Sequence, residues 1–257
     1  MRPASTQSRG SDVAIAIIGG TGLDQLEGFQ LEEKLVVNTP YGAPSAPVLK
    51  GSFHGKAVYF LARHGEHHEW PPHRVNYCAN IFALKKLGVE QVVAVNAVGG
   101  IHHDMCPAAI CVPDQIIDYT WGRIHTYSDD EHSPLEHIDF TFPYAERTRE
   151  LLVRAGDAAG ITVLARGVYG CTQGPRLETA AEIVRMKRDG CDLVGMTAMP
   201  EAPLAREIGL DYASLCVVAN WAAGCTDELI TMDAIDATLK VGMDNIRKIL
   251  QQTLMLL

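Results

Sequence analysis

The chain's strongest constraint on its fold is a set of short, wholly apolar runs, each ending in glycine or polar residues. Residues 13–18 (Val-Ala-Ile-Ala-Ile-Ile) run into Gly19-Gly20-Thr21-Gly22. Residues 58–62 and 91–96 have the same character. A run without polar alternation reads as a strand buried on both faces, which is the habit of parallel sheets covered by helices. Further strands are expected over 109–117, 161–169 and 211–219, with helical patterns over 74–87, 144–159, 178–189, 200–208 and 232–255. Gly88 and Gly190 follow two of these patterns where a C-terminal cap belongs. The alternation predicts an α/β fold around a mixed or mostly parallel sheet. Neither an internal repeat nor a Pro/Ser-rich linker divides the chain, so one domain is expected over 13–257 after a loose polar tail at 1–12. Residues 120–143 form the longest irregular segment, a length that is usually functional or lies at an interface.

Composition narrows the classes of function. The 22 basic residues against 31 acidic ones give a net charge of −9, which argues against nonspecific nucleic-acid or anionic-membrane binding. No stretch approaches the ~20 apolar residues of a membrane span, and residues 13–18 are too short for a signal-peptide core. The seven cysteines are an odd number and contain no Cys-x-x-Cys. They read as reduced, mostly buried thiols of a cytoplasmic protein.

Several strand ends carry candidate chemistry. Gly19 to Gly22 could bring backbone N–H groups and the Thr21 hydroxyl to an anion, or simply turn the chain. It lacks Gly-Lys-[Ser/Thr], and Gln25 breaks Gly-x-Gly-x-x-Gly. Arg63 and His64 follow an expected strand, at the sheet end where α/β ligands sit. Arg63 could grip a phosphate, or be a surface residue paired with Glu66 or Glu69. His64, His67, His68 and His73 lack the partners of a metal site, and His-Glu-x-x-His does not occur. Asn96-Ala97-Val98-Gly99-Gly100 is either a tight turn or a place for a flat ring. Gly174-Pro175-Arg176-Leu177 starts a helix with Glu178 expected in its first turn, as a ligand group or a charge favouring the helix N-terminus. Met196 and Thr197 follow the strand-like residues 193–195, and Asn220 closes an apolar run as a ligand group or turn former.

Together these residues resemble the trimeric purine nucleoside phosphorylase and methylthioadenosine phosphorylase family. The resemblance runs through Ile17-Ile-Gly-Gly-Thr-Gly-Leu, Asn38-Thr-Pro-Tyr-Gly, Leu61-Ala-Arg-His-Gly, Val75-Asn-Tyr-Cys-Ala-Asn-Ile and residues 174–201. It implies a central twisted, partly closed mixed sheet flanked by helices, and a homotrimer with sites at subunit interfaces. By that resemblance Thr21, Arg63, His64 and Thr197, with the Ala97 backbone, bind phosphate. Met196 lies at the ribose, Ala97, Val98 and Gly99 lie along the purine, and Leu177 and Glu178 also contact substrate. His137 of a neighbouring subunit completes the 5′ side. The implied reaction is phosphorolysis, with Asn220 assisting the leaving base and Arg63, His64 and Thr197 positioning phosphate. It needs no metal or organic cofactor.

Two positions bear on the nucleoside. The adenine-specific branch of the family carries Asp at the position of Asn220 and a second Asp two residues on, where this chain has Ala222. An amide can donate to O6 while accepting from a protonated N7, and an ionised Glu178 accepts from the N1–H that adenine lacks. Both favour hypoxanthine or guanine. The family's ordinary nucleoside branch carries a His beyond the Asn for the 5′-hydroxyl, whereas this chain has none between Trp221 and Leu239, and Met232 occupies the matching region. An apolar wall there suits a 5′-methylthio group. The expectation is phosphorolysis of S-methyl-5′-thioinosine. The alternatives are inosine or guanosine, methylthioadenosine, and a catalytically silent nucleoside binder.

Overall fold

The computed structural model describes residues 14–23, 26–128 and 135–257. The tail expected over 1–12 lies outside them. In chain order the elements are β1 (Ile15–Gly19), β2 (Phe29–Leu35), β3 (Val48–Phe53), β4 (Lys56–Ala62), α1 (Tyr77–Lys86), β5 (Gln91–Gly100), β6 (Ile110–Cys111) and β7 (Gln115–Asp118). There follow α2 (Glu146–Ala159), β8 (Val163–Leu164), β9 (Val168–Cys171), α3 (Ala180–Asp189), β10 (Leu193–Gly195), α4 (Ala198–Glu207), β11 (Asp211–Trp221) and α5 (Met232–Met255).

The 11 strands form one mixed sheet in which β2-β3-β4-β1-β5-β10-β9-β7 are neighbours in that order, with β11 bridging β5 to β6 and β6 pairing β8. Strand β5 is the spine. Its first residues pair β1 in parallel, its last two pair β10 antiparallel, and β11 runs parallel along its length. β1, β4, β5 and β11 thus end at the same edge. The apolar runs that announced β1 and β5 are indeed buried on both faces, because helices cover the sheet.

The sheet is not closed, which corrects the partly closed form expected. Among the described residues β2 pairs only β3, β7 only β9 and β8 only β6. The single strand expected over 109–117 breaks into β6 and β7 around Pro113, which has no N–H for a ladder. The one expected over 161–169 breaks likewise into β8 and β9. β2 carried no apolar alternation: five of its seven residues are exposed, and Glu32, Glu33 and Lys34 make it a charged edge. All seven cysteines are free thiols, five of them buried; burial pushes Cys171 up to about 12. No helix among the described residues is long and apolar enough to cross a membrane.

Two local devices bear on function. Between Val218 and Asn220 the β5–β11 register slips by one residue. Such a bulge re-aims side chains, so that Ala219 and Asn220 both face one cavity although a regular strand would send them to opposite faces. At α3, Thr179 is the N-cap and forms a capping box with Glu182. Glu178 therefore precedes the helix rather than sitting in its first turn.

Helix α5 lies against β11 with Gly242 at the contact, where an added Cβ would sit 2.2 Å from Val217 Cγ2. Gly242→Ala gains up to ~1 kcal/mol of helix propensity but overpacks a stiff branched side chain, a cost of ~1–3 kcal/mol. The expected result is a net loss of ~1 kcal/mol in urea unfolding, recovered when Val217→Ala is added. An unchanged or raised stability would show that α5 does not approach β11 this closely.

Candidate functional site

A cavity of about 490 Å³ opens at the shared strand edge. Thr21 enters it from the turn after β1, Arg63 and His64 from the turn after β4, and Asn96 to Gly99 from β5. Met196 and Thr197 come from the β10–α4 junction, and Asn220 from the β11 bulge. Leu177 and Glu178 come from the segment before α3, and Met232 from the first turn of α5. Every site residue expected from sequence lines this one cavity except His137, which is exposed in the stretch after residue 134.

One end is built around a buried cation. Arg63 is 1% exposed, and its Nε and Nη2 donate to the two oxygens of Glu201 at 2.5 and 2.9 Å. Its Nη1 donates to Val95 O at 3.0 Å. Glu201, itself fully buried, also accepts from Tyr212 Oη at 2.8 Å. Burial pulls the guanidinium pKa down, but the Glu201 carboxylate outweighs it and the net shift is upward. The alternative of a surface Arg63 paired with Glu66 or Glu69 is excluded, since Glu66 pairs with Lys34 and Glu69 accepts from the His67 N–H. Of the five guanidinium N–H groups, one on each terminal nitrogen is left over from these bonds. Gly20 makes room for the group, because a Cβ there would lie 2.7 Å from Arg63 Nη1.

His64 and Thr197 are set by neighbours. Nδ1 of His64 lies 2.8 Å from Trp70 O. A carbonyl can only accept, so Nδ1 carries the proton and the ring's other lone pair or proton belongs to Nε2. Asn96 Nδ2 donates to Thr197 Oγ1 at 2.7 Å, which leaves the Thr197 hydroxyl proton to be given elsewhere. Asn96 Oδ1 is buried without a hydrogen-bond partner among the described residues. At the opposite end, Asn220 Nδ2 donates to Trp221 O at 2.7 Å. That bond orients the amide and leaves its second N–H and its Oδ1 for a ligand. Glu178 Oε1 accepts from Thr172 Oγ1 at 2.6 Å.

Sequence reasoning missed four of these groups. Glu201 carried a signal, a lone carboxylate within the apolar residues 198–205. Asn96 was visible only as part of a turn. Thr172 and Arg123 had no signal. Arg123, from the irregular segment, donates to the carbonyls of Thr172, Gln173, Met196 and Met199 and to the Gln173 side chain. It ties the segment before Glu178 to the segment holding Met196. Among the described residues one His/Asp group comes close enough to share an ion, His102, His103 and Asp104. It lies outside the cavity lining and includes none of the four histidines near Arg63.

The strand-edge cavity thus brings together a guanidinium, hydroxyls, an amide and a carboxylate. The chain matches the Phosphorylase superfamily over residues 14–254 and belongs to it. A probable S-methyl-5′-thioinosine phosphorylase of Pseudomonas syringae pv. tomato is 55% identical over 239 residues, covering 93% of this chain and 97% of the relative. A 6-oxopurine nucleoside phosphorylase of Pyrococcus furiosus is 42% identical over 92% of this chain and 90% of its own. Among solved structures, methylthioadenosine phosphorylase from Schistosoma mansoni in complex with adenine superposes with a TM-score of 0.89 at 34% identity, covering 95% of this chain and 91% of that one.

Removing the carboxylate that balances Arg63 tests the buried pair. Glu201→Gln should lower stability by ~3–5 kcal/mol, because it strands a buried charge, and should raise KM for phosphate. Stability within ~1 kcal/mol of the parent, well below the cost of a stranded buried charge, would show that Arg63 is not held by Glu201.

Proposed function

We propose that this chain is a pentosyltransferase that cleaves S-methyl-5′-thioinosine with phosphate, giving hypoxanthine and S-methyl-5-thioribose 1-phosphate. The observation that carries this reading is the base end of the cavity. Glu178 and an oriented Asn220 face one space there, and Ala222, which also lines it, stands where an adenine-specific site would place a second carboxylate. Ionised Glu178 accepts from the N1–H of a 6-oxopurine, and Asn220 gives its remaining N–H to O6 while its Oδ1 takes N7–H. Ile230, Met232 and Ile235 offer an apolar 5′ wall. The relatives named for methylthioinosine agree with that combination.

Phosphate lies between Thr21, Arg63, His64, the Ala97 backbone and Thr197, with Met196 against the ribose and Ala97, Val98, Gly99 and Leu177 around the purine. A phosphate oxygen attacks C1′ as the C1′–N9 bond breaks, and the sugar develops oxocarbenium character. Arg63, His64 and Thr197 hold the anion in line, which supplies orientation, and its charge stabilises the developing cation. Electron density passing into the purine is met at N7 and O6 by Asn220. The reaction needs no metal or organic cofactor.

Met232 is 64% exposed, so one chain leaves the 5′ side open. A homotrimer in which a neighbour's His137 closes that side accounts for this, and the free thiols suit a cytoplasmic protein. Inosine is the second reading, favoured by the relatives named 6-oxopurine nucleoside phosphorylases.

Phosphate-dependent base release from methylthioinosine, inosine and methylthioadenosine, measured side by side, separates the readings. Methylthioinosine should have the highest kcat/KM. Faster turnover of inosine would overturn the apolar 5′ wall, preference for methylthioadenosine would overturn the base assignment, and no turnover would leave a silent binder. Asn220→Asp should shift the ratio of 6-amino to 6-oxo substrates upward by about tenfold or more, since a carboxylate repels O6. Unchanged selectivity would remove Asn220 from base discrimination.

A further inference from the structure

Glu178 stands in a wall between two cavities. One is the nucleoside cavity. The other, about 430 Å³, is polar and is lined by Asp118, Thr120, Gln173, Arg176 and Glu182 together with Thr172 and Glu178. Thr172 lines the outer cavity and not the nucleoside cavity. Its hydrogen bond therefore reaches the Glu178 carboxylate from the side of the second cavity.

That bond is short and its donor is fixed. Thr172 Oγ1 is 2.6 Å from Glu178 Oε1 and 3.3 Å from Gly195 O. A hydroxyl has one proton, and the charged acceptor at the shorter distance takes it. Thr172 itself cannot drift, because its N–H donates to Gly195 O at 2.8 Å and its carbonyl accepts from Arg123 Nη2 at 3.2 Å. The nearby Arg176 is occupied by both oxygens of Glu182, at 2.8 and 2.9 Å. Its hydrogen bond, with the Thr179 N–H, lowers the Glu182 carboxyl to about 2.

We propose that Thr172 is a positioning residue that makes the base pocket selective for hypoxanthine over guanine, by committing one oxygen of Glu178. The inference rests on the reading of Glu178 as the acceptor for the purine's N1–H. A hypoxanthine edge presents one donor to the carboxylate, N1–H, and Oε2 suffices for it. A guanine edge presents two parallel donors, N1–H and the 2-amino group, which match both oxygens of a carboxylate at once. To receive both, Oε1 has to accept the 2-amino N–H in addition to the Thr172 hydroxyl, and two donors on one oxygen each form a weaker charge-assisted bond than one donor alone. The same geometry gains specificity without a repulsive group, since the competing ligand leaves a polar donor poorly paired.

The test compares methylthioinosine, methylthioguanosine and methylthioadenosine as substrates of the parent, Thr172→Val and Thr172→Ser, with calorimetric binding of hypoxanthine and guanine to the parent. The parent should bind hypoxanthine more tightly and prefer methylthioinosine. In Thr172→Val the methylthioinosine-to-methylthioguanosine ratio of kcat/KM should fall by about tenfold, the scale of one hydrogen bond to a charged group. The change should lie in KM for the guanine substrate, with Thr172→Ser restoring the parental ratio. A ratio that stays within about twofold in Thr172→Val, or a parent that binds guanine as tightly as hypoxanthine, overturns the proposal while leaving Glu178 as the base acceptor. Equal loss on both 6-oxo substrates shows a structural brace and also overturns it. A parent that prefers methylthioadenosine overturns the Glu178 reading itself, and is told apart because both 6-oxo substrates then fail together.

Discussion

The cavity depends on one buried ion pair. Arg63 comes from the turn after β4, Glu201 from α4, and the carbonyl that completes the cradle from Val95 in β5. Three elements distant in sequence therefore meet on a single guanidinium. Desolvating such a pair is costly, and its attraction repays that only when geometry and further hydrogen bonds are good. Here the two hydrogen bonds of one bidentate contact and the Tyr212 hydroxyl supply them. The pair is also electrically neutral, and two guanidinium N–H groups are left over from its bonds. On the proposed reading, a phosphate held by these groups keeps most of its own charge, which is what a developing oxocarbenium ion needs beside it.

The rest of the site follows from where β5 and its neighbours end. Parallel strands that finish together put Thr21, Arg63 and Asn220 around the end of β5, whose own residues 96–99 line the same space. Gly99 and Gly195 keep that region flat. A Cβ on Gly99 would lie 3.1 Å from Val194 Cγ1, and one on Gly195 would collide with Tyr169 Oη at 2.0 Å. The two ends of the cavity are organised independently. Asn96 orients Thr197 at the anion end, and the β11 bulge orients Asn220 at the base end. On the proposed reading, selectivity for the base can change without disturbing the groups around Arg63, which fits a superfamily with relatives named for different purine nucleosides.

What the sequence disclosed was governed by burial and by range. Runs buried on both faces read plainly as strands, and a glycine or polar cluster at their ends marked the ligand edge. The cavity residues at those ends were thus legible. β2 was not, because a solvent-exposed charged edge strand has no apolar period. Pro113 split an expected strand, and the Thr179–Glu182 box moved the start of α3 past Glu178; both signals lay in the sequence but competed with a stronger apolar pattern. Arg63 could be read either as a phosphate ligand or as a surface ion pair. Its actual partner lies 138 residues away, and no local pattern encodes such a pairing.

Arg123 shows why the irregular segment resists reading while still shaping the site. It sits among residues without periodicity, and its hydrogen bonds among the described residues go to carbonyl oxygens, a side-chain amide and the Tyr77 hydroxyl. Carbonyl partners leave no residue-type signature, since every residue has one. Yet those carbonyls belong to Thr172, Gln173, Met196 and Met199, so one side chain fixes the distance between the wall that carries Glu178 and the wall that carries Thr197. The planar fork of five donors suits this role in a way an ammonium group does not. The two walls are consequently held at a set spacing by the segment expected to be functional or to lie at an interface, and movement of that segment would be felt at both walls of the cavity at once.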